Sequence, residues 1–149
     1  MNTAHALAVS ELTKSYGAGD ADERPALSPL TLEVPAGQLV ALVGHNGSGK
    51  TTFMRMVAGL LDPSGGTVSV FGHPRASADA RRALAYLSDQ PTFYDDLSLR
   101  EHLEYVARLH DVTDWSAEAE RLVAHLGLTD RLDQLPTTFS RGLRQKAAI

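Results

Sequence analysis

Residues 44–52 read Gly44-His45-Asn46-Gly47-Ser48-Gly49-Lys50-Thr51-Thr52, and this stretch decides the fold. Five consecutive apolar residues, 39–43, come directly before it, and a helical pattern over residues 50–61 follows it. An apolar run of this kind that ends at a glycine is typical of a strand buried on both faces, as in a parallel sheet covered by helices. The order of buried strand, glycine-rich turn and helix therefore predicts an α/β core.

The same stretch fits the pattern G-x-x-x-x-G-K-S/T, in the strand-to-helix context that this pattern requires. Glycines let the backbone curl so that successive N–H groups point at phosphate oxygens, and the helix start adds the positive end of its dipole. Lys50 would then reach the β- and γ-phosphates, and the Thr51 hydroxyl could bind Mg²⁺. The sequence thus predicts a site for a nucleoside triphosphate with Mg²⁺.

The composition excludes several classes of protein. The chain has 149 residues, no cysteine and a formal net charge of −4. Its apolar runs are far shorter than the roughly 18 residues of a membrane span, and we expect no secretory leader because no basic residue precedes Lys14. The absence of a basic cluster argues against a nucleic-acid partner, and the absence of cysteine favours the reducing cytoplasm.

Alternating apolar residues predict three partly exposed strands, and a short apolar run predicts one more buried strand. Residues 17–25 have the composition of a surface loop and are expected to join the first two strands, which we predict to be antiparallel. Residues 83–87 are the predicted buried strand. The alternating sets are Leu7, Val9 and Leu12, then Leu30, Leu32 and Val34, then Val68 and Val70.

Helical patterns dominate the second half of the chain. Ser98 and Glu101 form a capping-box pattern before one helix, and Gly127 closes a second one. Glu104 and Arg108 are expected to form a surface pair on the first of these helices. Four histidines show no metal-ligand spacing and are expected to face solvent: His5, His73, His102 and His125. The fold class predicted is α/β, a P-loop NTPase core with an antiparallel β subdomain and an α-helical subdomain.

Four further segments, in this order, resemble the nucleotide-binding subunit of an ABC transporter. They are residues 12–17 (LTKSYG), 59–68 (GLLDPSGGTV), 86–101 and 139–146 (FSRGLRQK). The resemblance of the first segment implies that Tyr16 stacks on the adenine of ATP. The second segment is specific for the family, but the resemblance gives it no catalytic role.

The third segment resembles the Q-loop of the family, whose glutamine contacts Mg²⁺ and the attacking water. Counting back from Ser98 places the usual glutamine at Asp89, whereas Gln90 follows one residue later. We expect Gln90 to be the catalytic, metal-facing residue, and Asp89 is the alternative.

The fourth segment resembles the family signature, usually L-S-G-G-Q. Ser140 and Gly142 match this pattern, whereas Arg141 replaces its first glycine and Leu143 replaces its glutamine. The resemblance implies that Ser140, Arg141 and Gly142 contact the γ-phosphate of an ATP held by a second nucleotide-binding subunit.

The resemblance also implies an organisation and partners. It makes the chain a single, incomplete ABC ATPase domain, with a β subdomain and P-loop core at 1–97, a helical subdomain at 98–139 and the start of the signature helix at 140–149. Two such subunits work with a membrane permease at the inner face of the cell membrane. Hydrolysis in the family also needs an Asp-Glu pair and a histidine after the signature helix, and neither occurs before Ile149. We therefore expect ATP binding with poor hydrolysis, and apolar strand edges that limit solubility.

Two alternatives stay open on the sequence. The first is a small kinase or GTPase whose metal-binding residue would be Asp89, although a phosphate acceptor site and a base are not evident. The second is an ABC ATPase that acts on ribosomes or DNA, which the lack of basic clusters argues against. Copurification with a permease, as opposed to ribosomes, would distinguish a transporter subunit from this second alternative.

Overall fold

The computed structural model describes residues 5–16 and 25–149. The contacts of the chain divide it into two compact units, Met1–Tyr86 and Leu87–Ile149. Among the helices of the described residues, none combines the length and the apolar character that crossing a membrane requires.

A four-stranded antiparallel sheet forms the frame of the first unit. Its strands are β1 (His5–Lys14), β2 (Leu27–Pro35), β3 (Gly65–Val70) and β4 (His73–Pro74), in the order β2-β1-β3-β4. The antiparallel pairing predicted for the first two strands is confirmed, as is the strand around Val68 and Val70. The loop predicted at 17–25 lies outside the described residues except for its last residue.

Helix α1 (Lys50–Val57) covers one face of this sheet. Phe53, Met56 and Val57 recur at the i, i+3, i+4 spacing of a buried helix face. They form one core with residues of the three long strands, Val9, Leu12, Leu27 and Val68. The helix ends earlier than the predicted residue 61, because Gly59 has a left-handed φ of +74° and the N–H groups of Gly59 and Leu60 turn back to the carbonyls of Met56 and Arg55. A short helix, α2 (Ala78–Arg82), follows the sheet, with Ser77 as its cap.

Strand β1 comes unusually close to the start of β3, its antiparallel neighbour in the sheet. Glu11 has a φ of +49° and interrupts the register of β1 with both neighbours, which is the geometry of a β-bulge. Thr31 holds the bulge, since its Oγ1 accepts from the Glu11 N–H at 2.9 Å and donates to the Glu11 carboxylate at 2.8 Å. Gly66 lies under the bulge with a φ of +81°, and a Cβ there would stand 2.3 Å from the Glu11 carbonyl oxygen.

Two predicted strands are absent from the described residues, and both predictions are wrong in this structure. Residues 39–43 form no strand, and Leu39 and Val43 are 102% and 89% exposed instead of buried. Residues 83–87 form no strand either, and Leu87 is 48% exposed. A parallel strand needs a hydrogen-bonded neighbour, and no strand between 25 and 149 pairs with either segment. The apolar content that predicted burial is present, but the pairing that would produce it is not.

The second unit contains three α-helices and two 3₁₀ turns. The α-helices agree with the helical patterns, whereas the sequence does not predict the 3₁₀ turns. The elements are α3 (Leu99–Leu109), α4 (Trp115–Leu126), the 3₁₀ turns Thr129–Arg131 and Pro136–Thr138, and α5 (Arg141–Ala147). Their core contains Leu99, Val123, Leu128 and Phe139, and Leu143 of α5 packs against it.

The predicted caps are present. Ser98 and Glu101 make both bonds of the capping box at the start of α3, and Gly127 ends α4. The hydrogen bonds from the hydroxyl and the backbone N–H of Ser98 hold the pKa of the Glu101 carboxyl below its ordinary value. The predicted pair of Glu104 and Arg108 is also present on the exposed face of α3.

The expectation that His102 faces solvent is wrong. Its side chain is buried, with only 9% of the residue exposed, and both ring nitrogens have partners. The Tyr94 N–H donates to Nε2 at 2.9 Å, and Nδ1 lies 2.9 Å from the Ser98 carbonyl oxygen. Phe93 contacts the ring edge-on, with centroids 5.3 Å apart. A polar ring is accommodated here because both of its nitrogens are hydrogen-bonded.

Candidate functional site

The glycine-rich loop curls at the point where it enters α1. The Ser48 N–H donates to the His45 carbonyl at 3.2 Å, which closes a turn over Asn46 and Gly47. Gly49 is the N-cap of α1 with a φ of +87°, and a Cβ there would lie 2.6 Å from the Ala26 carbonyl oxygen. Only glycine satisfies both the left-handed backbone and the close approach to β2. The loop is thus fitted against the start of the sheet.

Lys50 extends across the inside of the loop. Its ammonium donates to the carbonyls of Gly44 at 2.7 Å and His45 at 2.8 Å, and the Ser48 hydroxyl lies at 3.5 Å. The first intrahelical bond runs from the Phe53 N–H to the Gly49 carbonyl at 2.8 Å. The N–H groups of the residues before Phe53 therefore have no acceptor within the helix, and they form the positive end of its dipole. A cation and free N–H groups at one helix start provide what a polyphosphate binds.

The start of α1 also suits Mg²⁺. Thr51 is exposed on the first turn, beside Lys50, and Thr52 follows half-buried. Among the described residues, no group of three or more His, Cys, Asp or Glu could hold a metal ion. A single hydroxyl fits Mg²⁺, because this ion keeps several waters and takes its other ligands from phosphate oxygens.

Tyr16 lies at the same end of the sheet as this loop. It follows Lys14, which pairs across the sheet with Leu27, and the Leu27 side chain reaches within 3.0 Å of a Cβ built on Gly49. Tyr16 is 54% exposed, and the Lys14 ammonium stands over its ring, 5.3 Å from the centroid. The structure thus brings together, in the first unit, the aromatic residue and the glycine-rich loop that the sequence singled out.

The remaining predicted residues belong to the second unit. Asp89, Gln90 and Arg141 line one cleft of about 500 Å³, and Arg144 is also part of its wall. The Gln90 N–H donates to the Ser88 hydroxyl at 3.2 Å, and that hydroxyl lies 3.4 Å from the Asp89 carboxylate. Asp89 and Gln90 are both exposed, so the geometry leaves both alternatives available.

Ser140 and Gly142 lie at the start of α5. Ser140 is the N-cap of α5, since its hydroxyl accepts from the Leu143 N–H at 3.4 Å. A Cβ on Gly142 would meet nothing within 4 Å among the described residues, so this face of the helix start is open.

The sequence does not predict two sets of contacts, one beside Asp89 and one beside Tyr16. The Gln145 side chain on α5 donates to the Ser88 carbonyl at 3.1 Å, directly before Asp89. Ser64 and Asp62 bond to the end of β1, next to Tyr16. Both sets of contacts join residues far apart in the chain. The only signal in the sequence is that Asp62 and Ser64 belong to the segment 59–68, which resembles the family.

Comparison with known proteins gives a consistent result. The family model described as ABC transporter matches residues 27–149. The ABC transporter ATP-binding protein NatA of Bacillus subtilis is 34% identical over 129 residues, which cover 83% of this chain and 52% of that protein. The phospholipid-transporting ATPase ABCA3 of Rattus norvegicus is 32% identical over 145 residues, or 95% of this chain and 8% of that protein.

A solved structure agrees with these relatives. It is described as the ATP binding subunit of an ABC transporter, is 34% identical, and superposes with a TM-score of 0.82 over 96% of this chain and 59% of that one. The predicted fold class, an α/β P-loop NTPase fold, is confirmed. The chain spans about half the length of the bacterial relative NatA. On the family match and this structural likeness, the chain belongs to the ABC transporter family.

Proposed function

We propose that residues 44–52 of this chain bind MgATP and that the whole protein couples ATP hydrolysis to transport through a membrane permease. The observation that carries the proposal is the loop itself. Gly49 fits only as glycine at the N-cap of α1, and the Lys50 ammonium lies inside the curl. A curled loop with a cation and free N–H groups binds phosphates whatever the nucleoside is.

Each residue of the loop has a proposed role. The backbone N–H groups of the loop and of the first turn of α1 hold the phosphates, and Lys50 leaves the carbonyls of Gly44 and His45 to reach the β- and γ-phosphates. The Thr51 hydroxyl is a proposed protein ligand of Mg²⁺. The second proposed ligand is the Gln90 side chain, with Asp89 as the alternative. When bound, Mg²⁺ neutralises charge on the phosphate oxygens.

Tyr16 is proposed to stack on the adenine ring. Its exposed surface and its place at the loop end of the sheet support this role. An aromatic face gives a flat base favourable contact with little loss of side-chain freedom.

Ser140, Arg141 and Gly142 are proposed to contact the ATP of a second nucleotide-binding subunit. The open helix start at Gly142 and the positive charge of Arg141 suit an anion. Such a pair of subunits would assemble at the inner face of the membrane on a permease. The substrate stays open, since the relatives include a peptide export protein and a phospholipid-transporting one.

Replacement of Lys50 tests the site. Lys50→Ala removes the ammonium that would meet the phosphates, and we expect at least a tenfold weaker MgATP affinity, because a charge-assisted bond contributes about 1.5–3 kcal/mol. Isothermal titration calorimetry of the 149-residue chain measures this change.

Arg55→Ala is the matched control, since Arg55 is exposed in the last turn of the same helix and its loss removes the same charge. We expect the control to bind MgATP as the original chain does. Equal MgATP affinity of Lys50→Ala and the original chain would refute the assignment of the loop.

A further inference from the structure

The turn at residues 61–64 is bonded to the end of β1 just before Tyr16. The Ser15 N–H donates to the Ser64 hydroxyl at 3.1 Å, and the same hydroxyl donates to the Ser15 carbonyl at 3.3 Å. The Ser64 N–H donates to the Thr13 carbonyl at 2.9 Å. One residue of the turn therefore brackets Ser15 on both of its backbone groups.

A second layer of contacts surrounds this bracket. The Lys14 ammonium donates to the Asp62 carbonyl at 2.8 Å and stands over the Tyr16 ring, 5.3 Å from its centroid. The Asp62 carboxylate is in turn paired with Arg75, whose guanidinium also lies 3.4 Å from the Leu61 carbonyl. The turn is thus fixed to the sheet, and Lys14 connects it to one face of the aromatic ring.

We propose that Ser64, with Lys14, is a positioning residue that presents the Tyr16 ring to the purine base. The proposal rests on the proposed MgATP site and on the adenine role of Tyr16. It gives a function to residues 59–68, the segment for which the family resemblance implies no catalytic role.

The physical reason is entropic. A ring that is 54% exposed is held loosely by its own packing, so its direction depends on the backbone before it. Ser64 fixes that backbone at Ser15 through two hydrogen bonds. A stacking residue that is already in place loses less freedom when the base arrives, and the binding affinity rises by that difference.

A double-mutant cycle on MgATP affinity tests the proposal. Ser64→Ala removes the bracket, and we expect a dissociation constant about two- to tenfold larger, the range of one net hydrogen bond. In a Tyr16→Ala background the same change should have no further effect, because the ring that Ser64 positions is gone. Ser64→Thr keeps the hydroxyl and should restore the affinity.

Two controls separate positioning from a general effect on the fold. Mg²⁺-tripolyphosphate has no base, so Ser64→Ala should leave its affinity unchanged in calorimetry. Ser10→Ala removes a hydroxyl from an exposed position of the same strand and should leave the MgATP affinity unchanged.

Distinct results overturn distinct claims. Equal weakening of MgATP by Ser64→Ala with and without Tyr16, or no weakening in either, would overturn the positioning role. A wrong assignment of the MgATP site would give a different result: Lys50→Ala would still bind both MgATP and Mg²⁺-tripolyphosphate.

Discussion

The imidazole of His102 joins the segment before α3 to the first turn of that helix. Because Tyr94 donates its N–H to Nε2, that nitrogen is an acceptor and the proton is on Nδ1, which donates to the Ser98 carbonyl. The ring stacks on Tyr94 with centroids 5.9 Å apart. The residue therefore acts as a fully paired connector between two backbone groups.

Replacement of His102 by leucine is expected to destabilise the chain by about 1–3 kcal/mol, because the Tyr94 N–H and the Ser98 carbonyl would lose a buried partner. Urea denaturation measures the free energy of unfolding. His125→Leu is the control, since His125 is exposed on α4 and should change this free energy by less than about 0.5 kcal/mol. Equal effects of the two substitutions would contradict the connector role of His102.

Single residues differ in how well the sequence predicts them. The residues of the loop at 44–52 are predictable because their glycines, lysine and threonine act through local backbone geometry. His102 is not, because its partners are the N–H of Tyr94 and the carbonyl of Ser98, and backbone groups carry no sequence signal. The bracket of Ser64 on Ser15 is hidden for the same reason.

Among the structural elements, the pairing of β1 with β3 depends on the close approach of the Glu11 backbone to Gly66. A Cβ on Gly66 would stand 2.3 Å from the Glu11 carbonyl oxygen, so any side chain would need space that the bulge occupies. Gly72 has the same φ of +81°, but a Cβ there would meet nothing within 4 Å among the described residues. Substitution of each glycine therefore separates the cost of a left-handed backbone, which both share, from the cost of a steric clash, which only Gly66 has.

We expect Gly66→Ala to cost at least about 2 kcal/mol of unfolding free energy, because it combines a left-handed backbone with a backbone clash. Gly72→Ala adds only the left-handed backbone and should cost about 1–2 kcal/mol. Denaturant titration of both variants gives the comparison. A Gly66→Ala variant no less stable than Gly72→Ala would mean that β1 and β3 move apart at Gly66 without loss of unfolding free energy.

The elements that the sequence predicts correctly contain their own signals. The antiparallel strands show period-two alternation, and α3 and α5 begin at serine caps. The strands expected at 39–43 and 83–87 fail because their formation depends on partners remote in sequence, and an apolar run does not specify a partner.

For the molecule as a whole, residues 39–43 are an exposed apolar segment. Leu39, Val40 and Val43 are each more than half exposed, and no described strand covers them. An exposed apolar segment that pairs with no described strand is a template for association between copies. The small net charge of −4 offers little repulsion against it.

We expect the double substitution Leu39→Lys and Val43→Lys to raise the concentration at which the chain self-associates, measured by static light scattering. The matched control is Leu60→Lys with Leu109→Lys, two separate residues that are 65% and 63% exposed and add the same charge. If the control raises this concentration as much, charge and not the segment governs association.

The hold of Lys50 on its own loop also affects timing. Because its ammonium already bridges the Gly44 and His45 carbonyls at 2.7 and 2.8 Å, the loop is held in its curl by its own lysine. Entry of a nucleotide then requires the swing of one side chain, a picosecond-to-nanosecond event, and not the folding of a loop. We expect nucleotide exchange at the proposed MgATP site to be limited by encounter and departure.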